Sequence, residues 1–286
     1  MEAAPRVAVI IPCYNDGETL PDALDSLEGQ EPHELVIVDD GSTEPETRAT
    51  FERLESAGLR VLHQENGGLA AARNAGLAAT TAPYVLALDA DDRAVPGSLT
   101  VLADALDAHP DAVVAWGDLE VFGAGRSVQR LSPVLDPWLI TYMNGLTADA
   151  LIRRTALEQV GGWTYGGRGY EDWDLWMALA ERGHRGIYVP GVRHSYRLHG
   201  SRMLRDAREN HDELYADLRA RHPGLFARRR EHWRGSRAAL RLRLLLPLVE
   251  RLPFSGYTRL RLGHFVKEPV YLAKLWLGRR ASAGTV

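Results

Sequence analysis

Tyr84-Val85-Leu86-Ala87-Leu88-Asp89-Ala90-Asp91-Asp92 is an apolar run that stops on three carboxylates within four residues. A short continuous apolar run bounded by polar residues reads as a strand buried on both faces. The carboxylates repel one another, so a compensating cation is expected beside them. Oxygen ligands of this hardness suit Mn2+ or Mg2+, and a diphosphate completes the coordination shell in many nucleotide enzymes. An isolated Asp-x-Asp is more often a solvated acidic turn ahead of a helix. Here the motif follows a buried strand, and other strand ends carry matching polar groups, so the metal reading is favoured.

The same alternation extends in both directions. Upstream, Arg6 to Ile11 reads as a buried strand ended by Pro12, and residues 17–28 as a helix with Leu20, Ala23, Leu24 and Leu27 on one side. Leu35 to Val38 is a second buried strand, stopped by Asp39-Asp40-Gly41-Ser42; a helix over 45–57 and a strand over Leu59 to His63 follow. Gly67-Gly68 breaks the chain before a helix from Ala70 to Ala79. Downstream, residues 97–108 read as a helix and Ala112 to Trp116 as a strand. Strands and helices at this spacing predict an α/β fold, with βαβ units and a mostly parallel sheet flanked by helices. Ligands of such sheets bind outside the carboxyl ends of the strands. Three of those ends carry polar groups: Tyr14-Asn15, Asp39-Asp40 and Asp89-Asp91-Asp92. A carboxylate at 39 or 40 suits a base N–H or ribose hydroxyls, and equally suits a helix cap. From Gly117 to Gly169 the pattern is irregular, as in a substrate-binding region. Glu171 to Arg182 reads as a helix, and from about residue 203 the chain reads as helical and Arg-rich.

Of the 286 residues, 45% are hydrophobic and 25% charged, ordinary values for a globular protein. The single cysteine, Cys13, excludes an internal disulfide and a cysteine-built metal site and suits a reducing cytoplasm. The first residues lack the pattern of a secretory leader, and no apolar stretch reaches the roughly 20 residues that span a bilayer. The net charge of −4 hides an asymmetry: residues 1–189 carry 13 Arg, no Lys and 30 acids, whereas residues 190–286 carry 21 bases and 8 acids. Basic stretches with Leu and aromatics, Arg237 to Leu252 and His264 to Leu277, suit peripheral contact with the inner face of a membrane. The competing expectation is amphipathic helices that close one side of the domain or form a homodimer. No nucleic-acid motif accompanies the arginines, so a nucleic-acid partner is not expected.

In order and spacing the chain resembles the family 2 glycosyltransferases, which have the GT-A fold. The matching pieces are Val9-Ile10-Ile11-Pro12-Cys13-Tyr14-Asn15, Val38-Asp39-Asp40-Gly41-Ser42-Thr43, Asn66-Gly67-Gly68 through Ala72-Arg73-Asn74, Leu88 to Asp92, Gly161-Gly162-Trp163 and Glu171-Asp172-Trp173. The resemblance implies a GT-A domain over residues 1–202 with a basic helical extension over 203–286. It implies donor contacts from Pro12, Tyr14, Asn15, Asp39, Asp40, Gly68, Arg73 and Asp89. Asp89 and Asp91 match the metal-binding Asp-x-Asp, with Asp92 as a substitute. His199 resembles a metal ligand of part of the family, and His194 is the weaker alternative. Asp172 resembles the catalytic base, with Glu171 as the alternative or as an acceptor-orienting group. Trp163 fits either a sugar-facing aromatic or the core.

The activity so implied is inverting, metal-dependent transfer of a sugar from a nucleotide diphosphate sugar, UDP by default and dTDP or GDP otherwise, to a carbohydrate or lipid-linked acceptor. Two other classes remain open from sequence: a non-catalytic nucleotide- or carbohydrate-binding protein of the same fold, and a nucleotidyltransferase. Retained Asp91 and Asp172 speak against the first. The lack of a glycine-rich basic N-terminal loop speaks against the second.

Overall fold

A computed structural model describes residues 4–166, 169–198 and 209–267. Strand β1 (Val7–Cys13) lies at the centre, and every residue of it is buried. On one side it pairs in parallel with β2 (His33–Asp39), which pairs in parallel with β3 (Val61–His63). On the other side it pairs in parallel with β4 (Tyr84–Ala87). Side chains along these strands alternate between two cores. Ile10, Val36, Val38 and Val85 face one, and Val9, Ile11, Ile37 and Leu86 face the other. Burial on both faces is why the runs look uniformly apolar.

Helices α1 (Leu20–Asp25), α2 (Pro45–Ser56) and α3 (Leu69–Ala78) make the crossovers. Helix α3 lies so close to β1 that a Cβ on Gly76 would sit inside the shell of Ile10 Cγ2. Only glycine permits that approach.

Beyond β4 the sheet departs from the expected parallel order. After the short β5 (Arg93–Ala94) and helix α4 (Ser98–Ala108) comes the long β6 (Ala112–Gly123), with β7 (Ser127–Gln129) hung on its outer end. Strand β8 (Leu151–Arg153) slots antiparallel between β4 and β6. Strand β9 (Arg185–Leu198) runs parallel to β6 and carries β5 antiparallel at its far edge. Among the described residues the order is β3-β2-β1-β4-β8-β6-β9-β5. One half of the sheet is thus parallel and the other mixed. The irregular region of the sequence supplies the second half of β6, strands β7 and β8 and helix α5 (Arg154–Val160), and contains the turn at Leu139–Thr141.

Helix α6 (Glu171–Glu181) packs in the first core, and its opening acids divide the work of holding it. Buried Asp174 accepts from Arg221 Nε (2.7 Å) and His222 Nε2 (3.0 Å). Those partners end helix α7 (His211–Arg221) and precede α8 (Pro223–Ala227), whose Leu225 joins Leu218 of α7 in the main core. The boundary expected near residue 202 is therefore crossed by core packing. Helix α9 (Arg229–Gly235) leads to α10 (Leu240–Glu250) and α11 (Gly256–Lys267), a hairpin seated on Trp138, Leu139 and Met143 through Leu242 and Leu246. The part of the expected basic tail beyond residue 267 lies outside the described residues.

Candidate active site at the carboxyl ends of the central strands

The ends of β1, β2 and β4 converge as the sequence predicts. The buried Cys13 thiol at the end of β1 is pushed up to about 12, first by burial and then by the charges of Asp16, Asp39 and Asp91 around it. Asn15, at φ 61°, clasps the loop after β2: its Oδ1 accepts from the N–H of Thr43 (2.8 Å) and Glu44 (3.0 Å), and its Nδ2 donates to Thr43 Oγ1. Tyr14 beside it is 45% exposed, an aromatic face open to a ligand. Pro12 is buried within β1, opposite Val38.

Asp39 and Asp40 are both buried and both hydrogen-bonded inside the protein. Burial works against the charge of Asp39, yet Ser42 and His63 hold its carboxyl below the usual range. Asp40 Oδ1 accepts from Gln64 Nε2 (2.7 Å) and Gly67 N–H (2.8 Å), and Oδ2 accepts from Gly68 N–H (2.8 Å). These bonds fold the loop after β3 onto β2 and take up two N–H groups just ahead of α3, where Gly68 sits at φ 85°. Asp40 caps no helix: α2 starts after Glu44 and α3 after Gly68, each without a side-chain cap bond, and the carboxylate closes the loop between β3 and α3 instead. A nucleotide would meet Asp40 through the acceptor capacity left on Oδ2.

Arg73, expected near the nucleotide and diphosphate, stands beside Asp89, another of the expected donor contacts. It is wholly buried, 0% exposed, inside α3. Nη2 donates to Asp89 Oδ1 at 2.7 Å, and Nη1 donates to Glu171 Oε1 at 3.2 Å. One guanidinium thereby ties the first aspartate after β4 to the first residue of α6. Its charge stays locked on, because the two carboxylates outweigh the cost of burial.

Asp172 follows, partly exposed at the start of α6. Oδ2 accepts from Asn144 Nδ2 at 2.6 Å, and Oδ1 accepts from the Trp173 N–H at 2.7 Å. Desolvation, and after it the neighbouring Glu171 charge, push its carboxyl up to about 7, against the pull of Arg73 and its hydrogen bonds. A base matched to neutral pH is what proton abstraction from a hydroxyl requires. Glu171 is committed to Arg73, which favours Asp172 for that role.

The rest of the acidic motif is divided by environment. Asp92 is nearly fully buried, with Oδ1 on the Arg197 N–H (2.7 Å) and Oδ2 on His194 Nε2 (3.0 Å). The other ring nitrogen of His194 meets buried Asp149. Burial opposes charge on this imidazole, but Asp149 and Asp92 outweigh it and push it up to about 9. The ligand atoms of Asp92, Asp149 and His194 lie within 4.8 Å of one another, as a metal site would require. Both ring nitrogens face carboxylates, and burial pushes the Asp149 carboxyl well above its usual range. This trio is an internal ion cluster that pins the end of β9 to the turn after β4. His194 and Asp92, the alternative metal ligands of the sequence, thus stand together in one buried cluster.

Asp89 and Asp91 remain. Asp89 uses Oδ1 for Arg73, and the half-buried Asp91 stands in the same turn, with its backbone carbonyl accepting from Arg197 Nε (2.7 Å). Their oxygen donors fit a hard divalent cation. His199 lies outside the described residues, which resume at residue 209 after Leu198.

Trp163 is 3% exposed and packs in the core beneath Arg73, whose guanidinium carbon is 5.9 Å from the ring centre. Its sugar-facing reading is thereby corrected. The Gly161-Gly162 pair serves packing: a Cβ on Gly162, at φ 75°, would strike Asn74 Oδ1, which accepts from the Trp163 N–H. Asn144, Asp149 and Gln64 complete the site, yet nothing in the sequence pattern marks them.

The likeness to known proteins follows the same frame. The family model described as "Glycosyl transferase family 2" matches residues 8–160, more than half of the chain. A pre-mycofactocin glycosyltransferase of Mycobacterium tuberculosis is 32% identical over 198 residues, 64% of this chain and 41% of that protein. The uncharacterized glycosyltransferase YibD of Escherichia coli is 36% identical over 99 residues, 34% of this chain and 29% of that protein. The matched part spans less than half the length of these curated relatives. Among solved structures, S. aureus TarS 1–349 in complex with UDP-GlcNAc superposes with TM-score 0.61 at 19% identity, covering 91% of this chain and 72% of that one. The mannosyltransferase PcManGT from Pyrobaculum calidifontis, in complex with GDP-Man and Mn2+, does so with TM-score 0.59 at 21% identity, covering 98% and 85%. With the curled mixed sheet of these GT-A neighbours and the family model matched across β1 to α5, the chain belongs to glycosyl transferase family 2.

Proposed function

We propose that the protein transfers a sugar from a nucleotide diphosphate sugar to an acceptor hydroxyl, with inversion at the anomeric carbon. The observation that carries this reading is the Arg73 bridge, which ties Asp89 of the Asp-x-Asp turn to Glu171, the residue before Asp172 at the head of α6. Tyr14 stacks on the base, and Asp39, Asp40, Asn15 and Gly68 shape the pocket for it. Asp89 and Asp91 would hold Mn2+ or Mg2+. The bound cation offsets the charge that develops on a departing diphosphate. Asp172 takes the proton from the acceptor hydroxyl as that oxygen attacks the sugar from the face opposite the leaving group. Asn144 and the Trp173 N–H fix the carboxylate for that transfer. UDP is the first choice of nucleotide and GDP the second, in keeping with the ligands of the two fold neighbours.

The test is a thermal-shift screen of sugar nucleotides with Mn2+, followed by transfer assays with the stabilising donor. Asp172→Asn keeps nucleotide binding and loses roughly 10²- to 10⁴-fold in transfer. Release of pyrophosphate from a nucleoside triphosphate, or near-normal transfer by this variant, overturns the assignment.

A further inference from the structure

The α10–α11 hairpin has two apolar faces, and only one is used. The inner face, Leu242 and Leu246, packs on Trp138, Leu139 and Met143. The outer face of α10 exposes Leu244 (54%), Leu245 (43%) and Leu248 (54%), continued by Leu240 before it and by Leu252 and Phe254 after it. Spacing of three and four places these leucines on one stripe of the helix. Leucine stripes of this exposure on a soluble surface mark a contact surface.

The charge around the stripe says what covers it. Arg237, Arg241, Arg251 and Arg261 are all exposed. Glu250, the only acid of the described hairpin, is taken by Arg229 at 2.7 Å. A second copy docked across this face by two-fold symmetry would press like charge on like charge. An anionic lipid surface matches both features: the headgroups meet the arginines, and the leucines enter the boundary layer. No helix among the described residues is long and apolar enough to cross a membrane, so the contact is along the surface.

We propose that the outer face of α10 docks the protein on anionic bilayers. The same hairpin sits on the segment that leads to Asn144, the partner of Asp172, so docking holds the acceptor side of the cleft toward the lipid surface. That last step rests on the assignment of Asp172 as the base; the docking itself does not.

The experiment is co-sedimentation of the full chain with vesicles of phosphatidylglycerol and phosphatidylcholine, against vesicles of phosphatidylcholine alone, at low and high salt. The chain pellets with the anionic vesicles, and salt weakens the binding. Leu244→Gln/Leu248→Gln alters exposed side chains only, so the unfolding midpoint stays put while apparent affinity falls about tenfold or more. Arg241→Gln/Arg251→Gln loses a similar factor and most of the salt dependence. The proposal is overturned if the chain stays in the supernatant with anionic vesicles at low salt. It is equally overturned if the leucine variant binds as well as the parent. Conversion of a dimer into a monomer by the leucine variant, seen by light scattering without vesicle binding, assigns the face to a second copy instead.

Discussion

Replacing Asn144 by Ala tests the base without touching it. The Asn144 Nδ2 bond to Asp172 Oδ2, at 2.6 Å, favours the ionised carboxylate. A hydrogen bond to a charged group contributes about 1.5–3 kcal/mol, and one pKa unit corresponds to about 1.36 kcal/mol. Its loss therefore raises Asp172 from about 7 by about one to two units, the smaller figure applying where water fills the gap. The base works only when ionised, so the acid limb of kcat/KM against pH moves up by the same amount, and activity recovers in alkali. Stability offers a readout without substrate. Because the folded-state pKa is raised, the protonated carboxyl contributes stability that is fully present below about pH 4 and is lost as pH rises through about 7. In Asn144→Ala that loss continues to higher pH, and in Asp172→Asn it vanishes. An acid limb that stays in place in Asn144→Ala, with the fold intact, refutes the role given to both residues.

Arg73→Met leaves Asp89 and Glu171 without their shared cation, and denaturant titration shows a loss of about 3–5 kcal/mol. Asp91→Asn keeps the size and removes a charged ligand: the melting temperature stays near the parent's, while the Mn2+-dependent part of nucleotide-sugar stabilisation disappears in a thermal-shift titration. Gly76→Ala pushes α3 off Ile10 and costs about 1–3 kcal/mol, read as a lower unfolding midpoint.

The parallel half of the fold was legible because β1, β2 and β4 are buried on both faces and read as unbroken apolar runs. Pro12 was expected to end the first strand, but β1 continues to Cys13. The β4 ladder pairs only as far as Ile10, so the proline has no ladder bond to lose on that side. Strand β9 escaped notice because it is half-buried and carries Gly186, Pro190, Gly191 and several basic residues, a mixture without a period of two. The strand-end carboxylates were found by type and position, but their division of labour was not. Asp40 closes a loop, Asp92 meets His194, and Arg73 reaches from α3 to α6, all through contacts between residues far apart in sequence. Asn144 is an ordinary residue in an irregular stretch until α6 is folded against it.

Asp136 gives the acceptor side and the C-terminal helices a shared inheritance. Its Oδ1 accepts from the N–H groups of Trp138 and Leu139, and its Oδ2 from Ser236 Oγ and the Arg237 N–H. A recombination event that exchanged residues 117–170 for those of a relative lacking this aspartate, and kept the old C-terminal helices, would leave Ser236 Oγ and the Arg237 N–H without their acceptor, at about 1–3 kcal/mol. The turn so clasped also receives Trp173 Nε1 at the Ile140 carbonyl, one residue from Asp172. Lineages that change acceptor are thus expected to change both segments together, and a graft of either alone to yield a protein whose base is held less firmly.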